Sequence, residues 1–471
     1  MNKKILAVDL DNTLINTDMS FETLIHTFRK NPIYLFKVFY LFIFHGRNVA
    51  KKYLYENTEI NINDFKINQD VFNYIKKNRD RYEKTILISG SYYKIVKKFF
   101  DNLKIFDNYH GSDDNINLVG KNKISFIRSS YNQSEFDYIG DSKKDIPIWE
   151  HCNRALIVSS ESLLQKLKNL NLEVIVVSKN HEPTLNDFFY LLRLHHWVKN
   201  ILIFIPMLLA HSITQSNIII LILAFFSYSL VASSIYILND LADKKFDTLH
   251  VTKMNRPITS GKIQIVDSLK YILFILIIGI TLALNVNTLF FFLTIFYLFI
   301  ATCYTLYFKN IAFLDIVILA SFFMLRILAG GFAIDINISS WFILFSLFFF
   351  LAMASIKRIT ELQKYTDQEL SLNGRPYIKD NLSYLNLIGV LSGLLSMAVF
   401  SMYIISESSG ALYSNTSYLF IAGVLLFIWL LRVFHLTYKE KMHDDPIIFS
   451  MKDKTSYIIV VSILLAFYMA I

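Results

Sequence analysis

Charge is what this chain has least of: among 471 residues only 18% are Asp, Glu, Lys or Arg, against about a quarter in soluble domains. Cysteine is scarcer still. Cys152 and Cys303 are the only two, which excludes a disulfide-stapled scaffold. The apolar run after Lys3 and Lys4 stops at Val8, too short for the hydrophobic region of a secretory leader. What is present instead is apolar: 54% of residues are hydrophobic and 15% aromatic, which excludes a disordered chain. The net charge of +9 suits either nucleic acid or an anionic membrane surface, so its distribution decides. Of the 47 Lys and Arg, 27 fall in residues 1–190 and 20 in residues 191–471. The first part is charged like a soluble domain and the rest is charge-poor. At about 150 residues per domain the length allows roughly three.

From residue 191 onward, apolar runs approach or reach the roughly 20 residues that a spanning helix needs. Nine spans are predicted, near 192–211, 218–238, 267–285, 287–306, 313–332, 341–356, 383–405, 417–435 and 456–471. The connecting loops sort by charge. Lys244, Lys245, Lys253, Arg256 and Lys262 follow the second span; Lys357, Arg358, Lys364, Arg375 and Lys379 follow the sixth; Lys439, Lys441, Lys452 and Lys454 follow the eighth. The intervening loops carry no Lys or Arg. The positive-inside rule then makes the chain a multi-pass plasma-membrane protein with a cytoplasmic N-terminal part. Nine spans put the C-terminus on the opposite side. Much of the positive charge lies beside the membrane, so nucleic acid is not an expected partner.

Residues 1–180 alternate short apolar runs with amphipathic ones. Runs at 5–11, 85–90, 136–141, 155–159 and 174–178 read as strands, the pattern of a parallel α/β sheet. Such sheets hold ligands beyond the carboxyl ends of their strands. Asp9, Asp11, Ser89, Asp141 and Asp145 fall there. A carboxylate can attack phosphorus, and a second, two positions on, can move the proton. Carboxylates also suit Mg²⁺.

The ordered motifs Asp9-Leu10-Asp11-Asn12-Thr13, Ser89 after an apolar run, a lysine in Gly120-Lys121-Asn122-Lys123, and Gly140-Asp141-Ser142-Lys143-Lys144-Asp145 resemble the haloacid dehalogenase-like (HAD) phosphatase superfamily. The resemblance implies an α/β HAD-like fold, a Rossmannoid parallel sheet with a helical cap. It makes Asp9 the nucleophile and Asp11 the acid/base. Ser89 and Lys123, with Lys121 the competitor, would hold phosphoryl oxygens, and Asp9, Asp11, Asp141 and Asp145 would hold Mg²⁺. A degenerate, inactive fold of the same kind is the alternative. About 75 residues separate the first two motifs, too many for a tight connection, so residues of about 16–80 are expected to form the cap. Within them an aromatic run at 33–45, broken by Lys37 and bounded by Arg29, Lys30, Arg47 and Lys51, is too short to span. It reads either as an interfacial helix or as a buried cap helix. A linker at 181–190 leads to the membrane domain, 191–471.

The second span ends in Asn239-Asp240-Leu241-Ala242-Asp243-Lys244-Lys245-Phe246-Asp247. If the helix continues, Asp240, Asp243 and Asp247 share one face. Three adjacent carboxylates repel unless a cation joins them, and Mg²⁺ binds through one or two carboxylates plus substrate phosphates. Ionisable groups in or beside spans default to a functional reading.

The N-D-x-x-D-x-x-x-D motif, continuing through His250, Lys253 and Arg256 to Gly261, resembles the UbiA superfamily of membrane transferases. Within it the nearest resemblance is to decaprenyl-phosphate phosphoribosyltransferases, through Arg193, Trp197-Val198-Lys199-Asn200, Lys309, Asp315, Arg326, Lys357-Arg358 and Asp445-Pro446. This implies an all-α domain with Asp240, Asp243 and Asp247 as catalytic metal ligands. Lys199, Asn239, Lys253, Arg256, Lys309, Asp315, Arg326, Lys357 and Arg358 would be substrate-binding. For Lys199, Lys357 and Arg358 the weaker alternative is a membrane-flanking anchor. Members that use prenyl diphosphates usually carry a second D-x-x-x-D pair. Here Leu319 stands four positions after Asp315, which counts against a prenyl diphosphate donor.

The expected function is Mg²⁺-dependent transfer of 5-phosphoribosyl from phosphoribosyl pyrophosphate to a polyprenyl phosphate. The HAD-like domain would hydrolyse a phosphate, the lipid product's 5-phosphate being the candidate. A prenyltransferase and, from another class, a transporter with a regulatory domain are the alternatives. The expected partners are the bilayer and the two substrates; a homo-oligomer is left open.

Overall fold

The structure, a computed structural model, describes residues 4–31, 33–131, 135–159, 161–168, 173–179, 183–248, 253–364, 376–442, 445–450 and 452–471. His250 and Arg375 lie outside the described residues. The chain divides into two compact units. One is Met1–Phe188 with Leu241–Lys245 and Lys253–Leu269; the other is Phe189–Asp240, Phe246–Thr252 and Lys270–Ile471.

The first unit is built on six parallel strands in the order β3-β2-β1-β4-β5-β6. They are β1 Lys4–Val8, β2 Tyr82–Tyr92, β3 Asn108–Ser112, β4 Phe136–Gly140, β5 Ala155–Ser159 and β6 Val174–Lys179. Side chains alternate between two cores, because successive Cβ atoms of a strand point to opposite faces. Leu6, Val8, Leu87, Ile139 and Leu156 enter one core; Ile5, Ala7, Ile86, Ile88 and Ile157 enter the other. Burial on both faces explains why these strands read as unbroken apolar runs. Strand β3, Asn-Tyr-His-Gly-Ser, has no such run and was not expected. Strand β2 also runs longer than the apolar stretch that announced it. Strand β1 lies between β2 and β4, so the chain reverses its direction of travel across the sheet there, where α/β sheets open a crevice.

Four helices lie between β1 and β2: α1 Met19–Lys30, α2 Ile33–Phe44, α3 Arg47–Glu56 and α4 Gln69–Asn78. The Asp18 side chain caps α1 by accepting from Ser20 N, and Asn68 caps α4 by accepting from Asp70 N and Val71 N, the usual use of Asp and Asn at this position. Val71 and Ile75 of α4 enter a sheet core, and α4 packs on β6. Of the segment expected at 16–80 to form a cap, α4 thus belongs to the sheet layer. Helices α5 Tyr93–Leu103 and α6 Lys121–Ser130 follow β2 and β3.

The second unit is helical. Seven helices, two of which extend into segments that cluster with the first unit, are long and apolar enough to cross a membrane: α7 Gln215–Asp247, α8 Ile265–Val286, α9 Thr288–Leu306, α10 Leu314–Ala333, α11 Ser340–Lys364, α12 Asn381–Ile405 and α13 Ser417–Tyr438. The other two expected spans are shorter apolar segments among the described residues. The first becomes a 3₁₀ run, Leu194–Phe204, followed by a five-residue helix, Ile205–Leu209, with Pro206 in its first turn. Proline is tolerated at that place because its missing N–H would have no helical partner. The last is α14, Lys454–Ala470, of 17 residues. The 3₁₀ run packs closely on the bundle. A Cβ added at Gly330 of α10 would stand 1.9 Å from the carbonyl oxygen of Ile203, so only glycine allows the two backbones to meet.

Candidate active sites

In the first unit, Asp9 and Asp141 follow directly on the ends of β1 and β4. The Asp9 N–H donates to the Ile139 carbonyl at 3.0 Å, and its Oδ1 accepts from Leu10 N at 2.8 Å. Asp145 closes the turn after β4 in a reciprocal capping box with Ser142. Gly140 makes this turn possible: a Cβ there would come within 2.6 Å of the Tyr138 ring and 2.9 Å of Asp145 Oδ2. One ligand oxygen from each of Asp9, Asp141 and Asp145 lies within 4.8 Å of the others. Lys123 Nζ reaches Asp9 Oδ2 at 2.9 Å and donates to the Tyr138 hydroxyl at 2.8 Å. Tyr138 in turn donates to Asp145 Oδ1 at 3.1 Å. Between the two candidate lysines, Lys123 is buried among these groups and Lys121 is exposed.

Asp11 stands apart from the three-carboxylate cluster. Its Oδ1 accepts from Met19 N at 2.8 Å, and its Oδ2 from the Ser89 and Ser91 hydroxyls at 2.7 and 2.8 Å. The geometry therefore differs from the expected four-aspartate metal set, because Asp11's oxygens are held by Met19 of α1 and by Ser89 and Ser91 of β2. Ser89, expected to meet phosphate, is fully buried and bonded to Asp11. Helix α3 adds Lys51, which sequence reasoning used only as a flanking charge. Its Nζ donates to the Gly90 carbonyl and to Asn117 Oδ1. Its signal is long-range: nothing local to residue 51 says that α3 folds over the end of β2.

Burial dominates the electrostatics. It pushes the Asp9 carboxyl up to about 7; Lys123 opposes this, while Asp145 and Asp11 add to it. Burial, with Asp145 and Asp9, holds Asp141 well above the ordinary carboxylate range. Burial and Asp11 raise Asp18 to about 6. Lys123 is pulled down by burial, but Asp9 and Asp145 outweigh that and leave it raised. Three crowded carboxylates with one ammonium lack positive charge. A hard dication with oxygen ligands fits this donor set. The site opens into a cavity of about 830 Å³ whose walls include Asp9, Asp11, Lys51, Lys123, Asp141 and Asp145.

In the second unit a cavity of about 170 Å³ is lined by Arg193, Lys199, Arg326, Lys357 and Arg358, with Asp445 the carboxylate among the lining groups. His196, Tyr236, Asn239, Tyr297, Tyr304 and Thr305 complete its polar wall. Lys199 pairs with Asp445 at 2.6 Å, and Lys357 approaches the same oxygen at 3.7 Å. Arg326 donates from Nε to Asn200 Oδ1 at 2.7 Å and lies over the Tyr228, Tyr297 and Phe323 rings. These partners hold the guanidinium of α10 in place. Lys309 is buried and donates to Asn239 Oδ1 at 3.1 Å. It acts on the wall from behind.

Asp315 differs from its expected role. It is fully buried, pairs with Arg358 at 2.6 Å and accepts from the Tyr377 hydroxyl at 3.0 Å. It orients Arg358 and does not line the cavity. Asp240 pairs with Arg193. Helix α7 runs through Asp240, Asp243 and Asp247 as expected, but their oxygens do not gather as those of Asp9, Asp141 and Asp145 do among the described residues. Lys253 and Arg256 sit in the loop after α7 and do not line this cavity. His196 and the three tyrosines were missed, because aromatics in a chain this aromatic carry no local signal. A larger apolar chamber of about 510 Å³, walled by residues such as Phe345, Phe349, Trp341 and Trp429, lies in the same unit.

These features belong to a polytopic enzyme with a basic pocket beside an acidic helix end. The model of the UbiA prenyltransferase family matches residues 200–453, more than half of the chain, and the chain belongs to that family. It is a multi-pass membrane protein of prenyltransferase type. It is 30% identical, over 99% of its length and 90% of the relative's, to an uncharacterized protein of Sinorhizobium fredii. It is 34% identical over 39% of its length, and 58% of the relative's, to a decaprenyl-phosphate phosphoribosyltransferase of Mycolicibacterium smegmatis. A solved UbiA homolog from Archaeoglobus fulgidus, bound to GPP and Mg²⁺, is similar with a TM-score of 0.47 and 13% identity over 60% of this chain and 100% of that one.

Proposed function

We propose that the membrane unit transfers a 5-phosphoribosyl group from phosphoribosyl pyrophosphate to a polyprenyl phosphate, and that the first unit hydrolyses a phosphate monoester, with the 5-phosphate of the lipid product as its substrate. The observation that carries the transferase reading is the basic cavity. Five cationic side chains face one carboxylate, which suits a donor with phosphate at both ends better than a prenyl diphosphate with one. The commitment of Asp315 to Arg358 removes a carboxylate that a second metal–diphosphate site would need. Similarity to a decaprenyl-phosphate phosphoribosyltransferase supports the same reading.

In this reading a phosphate oxygen of the lipid attacks C1 of ribose. The C1–O bond to pyrophosphate breaks, and pyrophosphate leaves with the electron pair. Arg193, Lys199, Arg326, Lys357 and Arg358 hold the phosphates and stabilise the departing charge. Asp240, Asp243 and Asp247 are the residues that would hold Mg²⁺, which would further neutralise the leaving group. The apolar chamber receives the isoprenoid chain. In the first unit, Asp9 attacks phosphorus and Asp11 protonates the departing alkoxide. Asp11 then takes a proton from the water that hydrolyses the aspartyl-phosphate. Asp9, Asp141 and Asp145 would hold Mg²⁺, which would offset the phosphoryl charge, and Lys123 positions Asp9.

The test is incubation of the full chain in nanodiscs with Mg²⁺, labelled phosphoribosyl pyrophosphate and polyprenyl phosphate. Label should enter the lipid fraction with wild type and not with Asp240→Ala. Incorporation that is absent in wild type, while a prenyl diphosphate and a phenolic acceptor react, sinks the reading.

A further inference from the structure

Helix α2 is an anomaly in an α/β unit. Its sequence, IYLFKVFYLFIF, contains one charged residue. Val38 is its only buried residue. Phe36, Phe39 and Phe44 are 79%, 65% and 70% exposed within the whole chain, which excludes the buried cap helix that was one sequence expectation. A solvated helix this apolar would drive aggregation unless something covers it.

Two further observations say what covers it. Residues 29–52 carry six Lys and Arg and no Asp or Glu, and Lys30, Lys37 and Arg47 among them are exposed. An apolar helix in a basic setting complements an anionic bilayer surface, and the same chain crosses a bilayer. In addition, α2 is a wall of the cavity of the first unit. Leu35, Val38, Phe39 and Phe42, joined by Phe21 and Leu24 of α1, line the space that ends at Asp9 and Lys51. A soluble sugar phosphate has no use for six apolar side chains over its phosphate. A phosphate attached to a lipid does.

We propose that α2 seats the mouth of this cavity in the interface of an anionic membrane, so that the site takes phosphate monoesters borne on a lipid tail in preference to soluble ones, the tail leaving along Phe39 and Phe42 while Lys51 meets the phosphate. This rests on the phosphatase reading of the first unit and adds to it the membrane surface that presents the substrate and the preference for a tail over a soluble head. Phe36 and Phe44 do not line the cavity, so they report seating apart from the chemistry.

The test uses the full chain in nanodiscs containing anionic lipid and two probes with the same head: ribose 5-phosphate and dodecyl riboside 5-phosphate. Wild type should hydrolyse the tailed probe at least about tenfold faster in kcat/KM. The double variant Phe36→Glu/Phe44→Glu should lose that preference with the soluble rate unchanged. Independently, Phe36→Trp should add fluorescence that brominated acyl chains quench, above the four native tryptophans. Equal rates on the two probes, equal losses on both in the variant, or an unquenched Trp at position 36 overturn the proposal. Hydrolysis of neither probe by wild type refutes the phosphatase reading and its substrate class, and the quenching still decides the seating.

Discussion

Lys123 is the cation on which the first site depends, and replacing it with methionine has consequences that can be worked through. The ammonium lies 2.9 Å from Asp9 Oδ2 with 3% of its side chain exposed. Breaking a buried pair by removing one partner costs about 3–5 kcal/mol. Asp9 can limit that loss by taking a proton, because burial already holds its carboxyl at about 7. The sign follows from proton counts. A carboxyl raised on folding binds a proton in the folded state that the unfolded chain has released, so stability falls as pH rises between the two values. In wild type that fall ends near pH 7. Without Lys123 the folded value moves higher, and the decline should continue above pH 7 at up to about 1.4 kcal/mol per pH unit. Hydrogen exchange of the β1 and β4 amides in the full chain, with EDTA present, reads the opening of this unit alone. Protection in Lys123→Met should drop about a hundredfold or more at pH 7 and widen its gap from wild type toward pH 9. The double variant with Asp9→Asn should recover part of the loss. Parallel pH profiles, or a double variant no better than the single, would refute the reasoning.

Gly140→Ala should displace Asp145, whose Oδ2 would lie 2.9 Å from the new carbon; Mg²⁺ affinity of the first unit, measured calorimetrically, should weaken at least about tenfold. Gly330→Ala should abolish recovery of folded protein in detergent, since the Ile203 carbonyl stands 1.9 Å from the added methyl and a backbone cannot yield as a side chain does. Tyr377→Phe should cost about 1 kcal/mol by loss of its bond to Asp315 and lower transferase kcat by loosening Arg358, with donor KM rising. His110, pushed down to about 4 by burial, stays neutral in the fold while the unfolded chain takes up a proton below about 6.5. Stability of the first unit should therefore fall from pH 6.5 to 4, and His110→Phe should flatten that part of its hydrogen-exchange profile.

Sequence and structure part company at particular places. Strands buried on both faces were legible because their apolar runs are unbroken, as in β1 and β4. Strand β3 was not legible, since Tyr109, His110 and Gly111 are half-buried at the far side of β2. The motifs and the resemblance they carry indicated Asp9, Asp11, Asp141 and Asp145 together, of which Asp11 stands apart, but not Lys51, which reaches the site only because α3 folds over it. In the membrane unit the resemblance to decaprenyl-phosphate phosphoribosyltransferases pointed to Arg193, Arg326, Lys357 and Arg358. The pairing of Asp315 with Arg358 was hidden, because it joins two helices whose register no local pattern specifies. The exposure of α2 was equally out of reach, as an apolar run reads the same whether it is covered or bare.

The most direct test of the two-step account is the mass of the lipid product made from phosphoribosyl pyrophosphate and a polyprenyl phosphate of defined length. Wild type should yield lipid-linked ribose, and Asp9→Asn the same species heavier by one phosphate on ribose. A product of one mass from both proteins, or a lipid that carries no pentose in either, would contradict it.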